Sequence, residues 1–151
     1  MWRKVLLIED DKKKIDDITE YLGSNYDFST LVVKESYQSG MRAAMEGDFD
    51  LLLLDMSIPT WDKSPTETGG SYQKFGGYKI LKEVIRKEKK IKTILITMFD
   101  DFGESDTSIT LKELNDLLKK DFPEVYQGAI FYSTRETKWK DELDSYLKKK
   151  E

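Results

Sequence analysis

Cysteine and histidine are both absent from this chain of 151 residues. Without cysteine the protein has no disulfide, no thiolate nucleophile and no cysteine zinc site, and without histidine it has no imidazole base and no phosphohistidine. Serine–histidine triads and histidine-dependent zinc peptidases are therefore excluded by inventory. Any metal ion must be held by oxygen ligands, which favours magnesium, calcium or manganese.

Long apolar runs and an excess of positive charge are also lacking. The longest apolar runs end after four or five residues, far short of the roughly 20 needed to cross a bilayer. The start, MWRKVLLIEDD, turns acidic at once and has no small-residue cleavage site, unlike a signal peptide. A net charge of −4 and a pI near 5.1 argue against a nucleic-acid partner. We therefore predict a cytoplasmic protein with neither a nucleic-acid nor a membrane partner.

Short apolar runs alternate with amphipathic stretches along the whole chain. Four runs are continuous, as in strands buried on both faces of a parallel sheet, whereas Phe28–Val33 is mixed and typical of an edge strand. Five β–α repeats predict an α/β fold, a doubly wound five-stranded parallel sheet flanked by five helices. The continuous runs are Val5–Ile8, Leu51–Leu54, Thr93–Thr97 and Ala129–Tyr132.

Helix boundaries are indicated by glycines and capping residues. Gly23 is expected to end the first helix as a left-handed cap. Thr110 and Glu113 have the spacing of a capping box at the start of the fourth helix. The apolar stripes of these helices are expected to form the core. The second, third and fifth helices are expected to follow Ser36, Gly76–Gly77 and Thr137.

One irregular segment interrupts the repeats, at residues 57–75. It is polar and too long for an ordinary connection between a strand and a helix, and loops of this size are usually functional or mobile. Its aromatic residues Trp61 and Tyr72 could anchor it on the domain or be presented to a partner. We find no linker and expect a single domain over residues 1–151, with an enlarged loop at 57–75 and no output domain.

Polar side chains follow the predicted strands at the edge where such sheets bind ligands, beyond the carboxyl ends of the strands. Packed carboxylates repel one another, and Mg²⁺ with carboxylates and waters in its shell would resolve that repulsion. A neutralised carboxylate there could attack a phosphoryl donor, whose oxygens would need the metal, a hydroxyl and a cation. The side chains are Glu9, Asp10 and Asp11 after the first strand, Asp55 after the third, Thr97 ending the fourth, and Arg135 past the fifth.

These segments resemble the response-regulator receiver domain, the CheY-like family of two-component signalling. VLLIEDD is similar to the first strand and acidic pair of that family, and DLLLLDMSIP to its third strand with the phosphoaccepting aspartate. TILIT and GAIFYSTR resemble the fourth and fifth strand segments. The resemblance covers nearly the whole chain in the right order, and it implies the strand order 2-1-3-4-5.

The resemblance assigns a metal site and a phosphoacceptor to this chain. Asp55 would accept the phosphoryl group. Mg²⁺ would be held by Asp10, Asp55 and the backbone carbonyl of Ser57, with Glu9 acting through a water. The alternative for Asp10 or Asp11 is that they only cap the first helix.

The resemblance also implies a switch. Thr97 and Arg135 would contact the phosphoryl group, and Tyr132 would be the aromatic residue that reorients. The implied partners are a sensor histidine kinase or another phosphodonor, and a downstream protein. The simpler alternatives are a strand cap for Thr97, a surface ion pair for Arg135 and a core position for Tyr132.

Several positions depart from the family pattern. Arg135 stands where the family has a lysine, Glu136 where it usually has proline, and Met98 where it has a small residue. The connections at 57–75 and 99–108 are enlarged. Because arginine and lysine meet phosphate oxygens differently, a pseudo-receiver that binds partners without regulated phosphorylation stays open.

A third class is a magnesium-dependent phosphohydrolase of the haloacid-dehalogenase kind, which also uses an aspartate at a strand end. That chemistry needs a second aspartate two residues after the nucleophile, and Ser57 stands there. Nucleotide-binding motifs of the forms GxxxxGK[ST] and GxGxxG are absent from the sequence.

Overall fold

The computed structural model describes residues 4–63, 69–99, 101–102 and 109–148. Strands and helices alternate along most of this length, as the apolar pattern predicts. The strands are β1 (Lys4–Ile8), β2 (Thr30–Lys34), β3 (Leu51–Leu54), β4 (Ile58–Pro59), β5 (Tyr72–Gln73), β6 (Lys92–Thr97), β7 (Asp101–Phe102), β8 (Ile109–Thr110) and β9 (Tyr126–Phe131). The helices are α1 (Lys12–Asn25), α2 (Tyr37–Glu46), α3 (Gly76–Arg86), α4 (Leu111–Asp121) and α5 (Lys138–Lys148).

Five strands form one parallel sheet in the order β2-β1-β3-β6-β9. Because β6 and β9 are the fourth and fifth strands of this sheet, the predicted order 2-1-3-4-5 is confirmed. The mixed strand β2 lies at an edge, and none of its residues is fully buried. Strand β9 begins at Tyr126 rather than at Ala129, since Tyr126 pairs with Thr93 of β6 across a register shift.

Both faces of the sheet are covered, which explains the continuous apolar runs. Leu52 and Leu54 of β3 pack on the face that α2, α3 and α4 cover, and Leu51 and Leu53 pack on the face of α1 and α5. All four side chains are buried. Of the helices in the described ranges, none has the length and apolar content that a bilayer span requires.

Most predicted helix starts are confirmed. Ser36 caps α2, and Thr110 with Glu113 forms the capping box of α4. The prediction that Gly23 ends the first helix is wrong, because α1 continues to Asn25. The side chain of Asn25 donates to the Tyr21 carbonyl and the next amide donates to the Leu22 carbonyl, so no left-handed glycine is needed at this end.

Within the segment 57–75, which its composition predicts to be a loop, two short strands pair with each other. Strands β4 and β5 form an antiparallel hairpin in which Ile58 pairs with Gln73 and Pro59 with Tyr72. We call this unit the hairpin; residues 64–68 lie outside the described part of the chain. A second antiparallel pair, β7 with β8, lies in the other enlarged connection, of which residues 100 and 103–108 are likewise outside the description.

Candidate functional site

A cavity of about 610 Å³ opens at the carboxyl ends of the central strands. Four of the predicted site residues line it: Glu9 and Asp10 after β1, and Asp55 and Ser57 after β3. The structure therefore brings together the acidic residues of the first and third strands, as the sequence predicts. The other lining residues are Asp11, Lys12, Lys13, Lys63, Tyr72, Met98 and Phe99.

Asp55 lies at the floor of this cavity and is only 3% exposed. Its Oδ1 accepts a hydrogen bond from the Met56 amide at 2.6 Å. Its Oδ2 accepts from the ammonium group of Lys14 at 2.9 Å. Each oxygen of a carboxylate can accept two hydrogen bonds, so each Asp55 oxygen has one further acceptor position beyond these contacts with described residues.

Lys14 is a fully buried lysine on α1, and sequence reasoning missed it. Its Nζ lies 2.5 Å from Glu9 Oε1, 2.9 Å from Asp55 Oδ2 and 2.6 Å from the Ile96 carbonyl oxygen. Burial alone would lower the pKa of Lys14, but Asp55 and Glu9 raise it above its ordinary value. Lys14 is therefore a charged ammonium group beside the predicted phosphoacceptor.

The position of Lys14 in the helical repeat of α1 could have identified it from the sequence. It precedes Ile18 by four positions and Leu22 by eight, and these two residues form the buried stripe of α1. Side chains four positions apart lie on the same face of a helix. A lysine in register with a buried stripe, next to a cluster of carboxylates, is the pattern that predicts an internal counter-ion.

Glu9 is 2% exposed and is held from both of its oxygens. Oε2 accepts from the backbone amides of Asp10 and Asp11, each at 3.1 Å. Oε1 has its ion pair with Lys14 but no hydrogen bond of regular geometry within the described ranges. Burial, with the charge of Asp55 adding to it, raises the pKa of Glu9 to about 7 although Lys14 opposes that change.

The hairpin covers the second carboxylate of the acidic pair. The hydroxyl of Tyr72 donates to Oδ2 of Asp10, and Lys63 Nζ lies 3.4 Å from the same oxygen. Burial and the Asp10 contact raise the pKa of Tyr72, so its hydroxyl remains a donor at neutral pH. Asp11 plays the structural role considered for it, since its side chain accepts from the Lys14 amide and caps α1.

Two of the three predicted switch residues are buried, and the third is exposed. Thr97 is buried, and its Oγ1 accepts from the Phe99 amide at 3.2 Å. Tyr132 is 1% exposed and its hydroxyl donates to Asp17 of α1. Arg135 is exposed in the connection between β9 and α5 and does not line the cavity, so the structure does not bring it to Asp55.

The cavity residues fit a magnesium ion by donor type. Glu9, Asp10, Asp55 and the backbone of Ser57 offer the carboxylate and carbonyl oxygens that magnesium prefers. Within the described ranges, however, no three acidic side chains form a ready-made ligand cluster. Lys14 and Lys63 pair with these carboxylates instead. Magnesium would therefore bind in exchange for part of this ammonium and hydroxyl contact.

Comparison with known proteins identifies relatives that match nearly the whole chain. No protein-family model matches the chain. The chain is 34% identical over 140 residues to the uncharacterized protein y4jR of Sinorhizobium fredii, covering 91% of each chain. It is 23% identical over 142 residues to the Detocs response regulatory protein DtcB of Enterobacter cloacae, covering 93% of this chain and 95% of that protein.

Solved structures agree on the fold. The receiver domain of the sensor histidine kinase PA1611 from Pseudomonas aeruginosa, solved with a magnesium ion in its active-site cleft, superposes with a TM-score of 0.57 at 16% identity. The superposition covers 99% of this chain and 97% of that domain. This chain thus has the fold of response-regulator receiver domains with a divergent sequence, and it belongs to the same family as y4jR of Sinorhizobium fredii.

Proposed function

We propose that this protein is a receiver that accepts a phosphoryl group on Asp55 in the presence of Mg²⁺ and signals through contacts with other proteins. The observation that carries the proposal is the position of Asp55 at the floor of the acidic cavity, beside Asp10 and Ser57. The receiver fold and the similarity to a response regulatory protein support it.

The reaction is a transfer between oxygen atoms when acetyl phosphate is the donor. A carboxylate oxygen of Asp55 forms a bond to phosphorus, the bond from phosphorus to the acetate oxygen breaks, and acetate leaves with the electron pair. Asp55 needs no base because it reacts as a carboxylate, and the Met56 amide holds its Oδ1 during the attack. Bound Mg²⁺ would neutralise charge on the phosphoryl oxygens, with Asp10, Asp55 and the Ser57 carbonyl as its ligands and Glu9 contributing through a water.

In this proposal, a change at Asp55 is transmitted by buried residues next to it. Thr97 ends β6, the strand beside β3, and Tyr132 directly follows β9. The Tyr132 amide donates to the Thr97 carbonyl, so the two positions are joined through the backbone. A change at Asp55 that moves Thr97 would therefore reach Tyr132 and a surface for a downstream protein. The phosphodonor in the cytoplasm would be a sensor histidine kinase or another phosphodonor.

Phosphoryl uptake tests this proposal directly. The wild-type protein is incubated with acetyl phosphate and Mg²⁺, and its intact mass is measured. We expect one added phosphoryl group in the wild type and none in Asp55→Asn. Asp50→Asn is the matched control, because the side chain of Asp50 accepts from the Lys4 amide at the opposite end of the sheet and should leave uptake unchanged. A wild type that gains no mass contradicts the proposal.

The pseudo-receiver is a second candidate, and one observation favours it. Lys14 pairs with both Asp55 and Glu9 in the folded domain, so a cation lies between these carboxylates before any metal binds. On this alternative the wild type takes up no phosphoryl group, and beryllofluoride with Mg²⁺ leaves its thermal stability unchanged. Stabilisation by beryllofluoride would contradict the pseudo-receiver, because only a competent site binds this phosphoryl mimic.

A further inference from the structure

We propose that Lys14 supplies the cation of the phosphoryl site, the role that the family resemblance gives to Arg135. The inference rests on the proposed function of Asp55. It follows from a difference between the two residues: Lys14 Nζ lies 2.9 Å from the Asp55 carboxylate, whereas Arg135 is exposed in the connection after β9. The positive charge thus comes from the start of α1 rather than from the connection after β9.

The position of the Lys14 ammonium is fixed from three sides. Its partners are Glu9 after β1, Asp55 after β3 and the Ile96 carbonyl within β6. Of these three contacts, those with Asp55 and Ile96 are hydrogen bonds and that with Glu9 is an ion pair. Because the side chain is fully buried, its charge is poorly screened by solvent and acts strongly on a neighbouring anion. A solvated surface lysine would have neither property.

Phosphorylation of Asp55 moves the negative charge that lies next to Lys14. The free carboxylate carries one negative charge, which the Lys14 contact at 2.9 Å partly balances. After transfer the carboxyl group is an acyl phosphate, and the negative charge lies on the phosphoryl oxygens instead. A phosphoryl oxygen is two bonds from the carboxyl oxygen that carries the phosphorus. An ammonium group that is hydrogen-bonded to the carboxylate would reach it, so Lys14 would then donate to the phosphoryl group.

The same movement would reach the buried aromatic residue of the proposed switch. Lys14 Nζ lies 6.0 Å from the centroid of the Tyr132 ring. The Tyr132 hydroxyl donates to Asp17, which lies on the same helix as Lys14. Lys14 would therefore stabilise the acyl phosphate and also connect Asp55 to Tyr132.

The uptake assay separates this inference from the proposed function. We expect Lys14→Met to take up phosphoryl groups from acetyl phosphate at least about tenfold more slowly than the wild type, and Lys14→Arg to recover part of the rate. Lys89→Met is the matched control: Lys89 also donates to a backbone carbonyl, that of Gly47, but at the opposite end of the sheet, and its uptake should equal that of the wild type.

A measurement on the wild-type protein covers the case in which Lys14→Met does not fold. A slowly exchanging lysine ammonium signal in ¹⁵N NMR is expected for Lys14, and beryllofluoride with Mg²⁺ should shift it. A signal that does not move overturns the inference, as does a folded Lys14→Met that is labelled at the wild-type rate, or loss of labelling in Arg135→Met but not in Lys14→Met. A wild type that is never labelled contradicts the proposed function itself, and the inference with it.

Discussion

Lys14 Nζ donates to Asp55 Oδ2 at 2.9 Å across 41 positions of sequence. This contact joins the start of α1 to the end of the central strand β3, and Glu9 completes the buried ion group at 2.5 Å from the same nitrogen. A buried ion pair adds little net stability compared with apolar side chains, but removing one partner leaves an uncompensated buried charge. The energetic consequences of this arrangement therefore appear when one member is removed.

Lys14→Met should be strongly destabilising. It leaves Glu9 and Asp55 buried without a cation, and we expect the free energy of unfolding to fall by about 3–5 kcal/mol. Urea denaturation at pH 8 measures the change. Lys89→Met, which removes a partly buried hydrogen bond to a carbonyl elsewhere, should cost no more than about 1.5 kcal/mol. Equal losses in the two variants would contradict the view of Lys14 as a buried counter-ion.

Glu9→Gln should change how stability depends on pH. The folded-state pKa of Glu9 is about 7, above the ordinary value of 4.5, so the folded protein binds this proton more tightly than the unfolded chain. The wild type therefore loses stability as the pH rises from 4.5 through 7, and a neutral glutamine removes this loss. The free energy of unfolding of the variant, minus that of the wild type, should grow by up to about 3 kcal/mol over this range.

Urea titrations at pH 5 and pH 8 measure this difference. Glu46→Gln on the exposed surface of α2 serves as the control for removing a carboxylate from the same chain. Glu9→Gln also loses the contact with Lys14, which shifts its free energy of unfolding at both pH values. The decisive result is therefore the direction in which the difference from the wild type changes with pH. A difference that is constant, or that shrinks at pH 8, would contradict a raised pKa for Glu9.

The fold could be predicted from the sequence because its determinants are local. The run Leu51–Leu54 is buried on both faces of a parallel sheet, and Thr110 with Glu113 forms the expected capping box. The meeting of Asp10 and Asp55 at one cavity also followed from topology, since the carboxyl ends of parallel strands lie at one edge of a sheet.

The partners of the site residues could not be predicted in the same way. Lys14 is the last of three consecutive lysines, and only its spacing to Ile18 and Leu22 distinguishes it from the other two. The contact of Tyr72 with Asp10 depends on the hairpin, whose β-pairing is not encoded in an apolar pattern. Arg135 was assigned by resemblance, and the direction of its side chain depends on the geometry of a connection that resemblance does not specify.

Tyr72→Phe should tighten magnesium binding. The Tyr72 hydroxyl occupies a lone pair of Oδ2 of Asp10, a proposed metal ligand, so magnesium that binds at this lone pair displaces the hydrogen bond. Its removal should lower the dissociation constant for Mg²⁺ by about tenfold, the lower end of the range for a hydrogen bond to a charged acceptor. Isothermal titration with MgCl₂ measures the constant.

Tyr78→Phe provides the matched comparison for this titration. Its hydroxyl also donates to a carboxylate, Asp121, but on α4 and away from the cavity. Its magnesium affinity should equal that of the wild type. If Tyr72→Phe binds Mg²⁺ more weakly than the wild type, the hydroxyl supports the site instead of competing with the metal, and the displacement described above is wrong.

Alanine at two helical glycines should have opposite effects on stability. A Cβ at Gly77 would lie 2.7 Å from the backbone oxygen of Asp55 and 3.1 Å from the Cα of Met56, so the start of α3 must move away from the strand end. Gly77→Ala should lower the free energy of unfolding by about 1–3 kcal/mol and slow phosphoryl uptake.

A Cβ at Gly23 meets nothing within 4 Å, so Gly23→Ala in α1 should raise the free energy of unfolding by about 0.5–1 kcal/mol and leave uptake unchanged. Thermal denaturation together with the mass assay checks both variants. A Gly77→Ala protein as stable and as reactive as the wild type would show that close packing of α3 on Asp55 does not position the carboxylate.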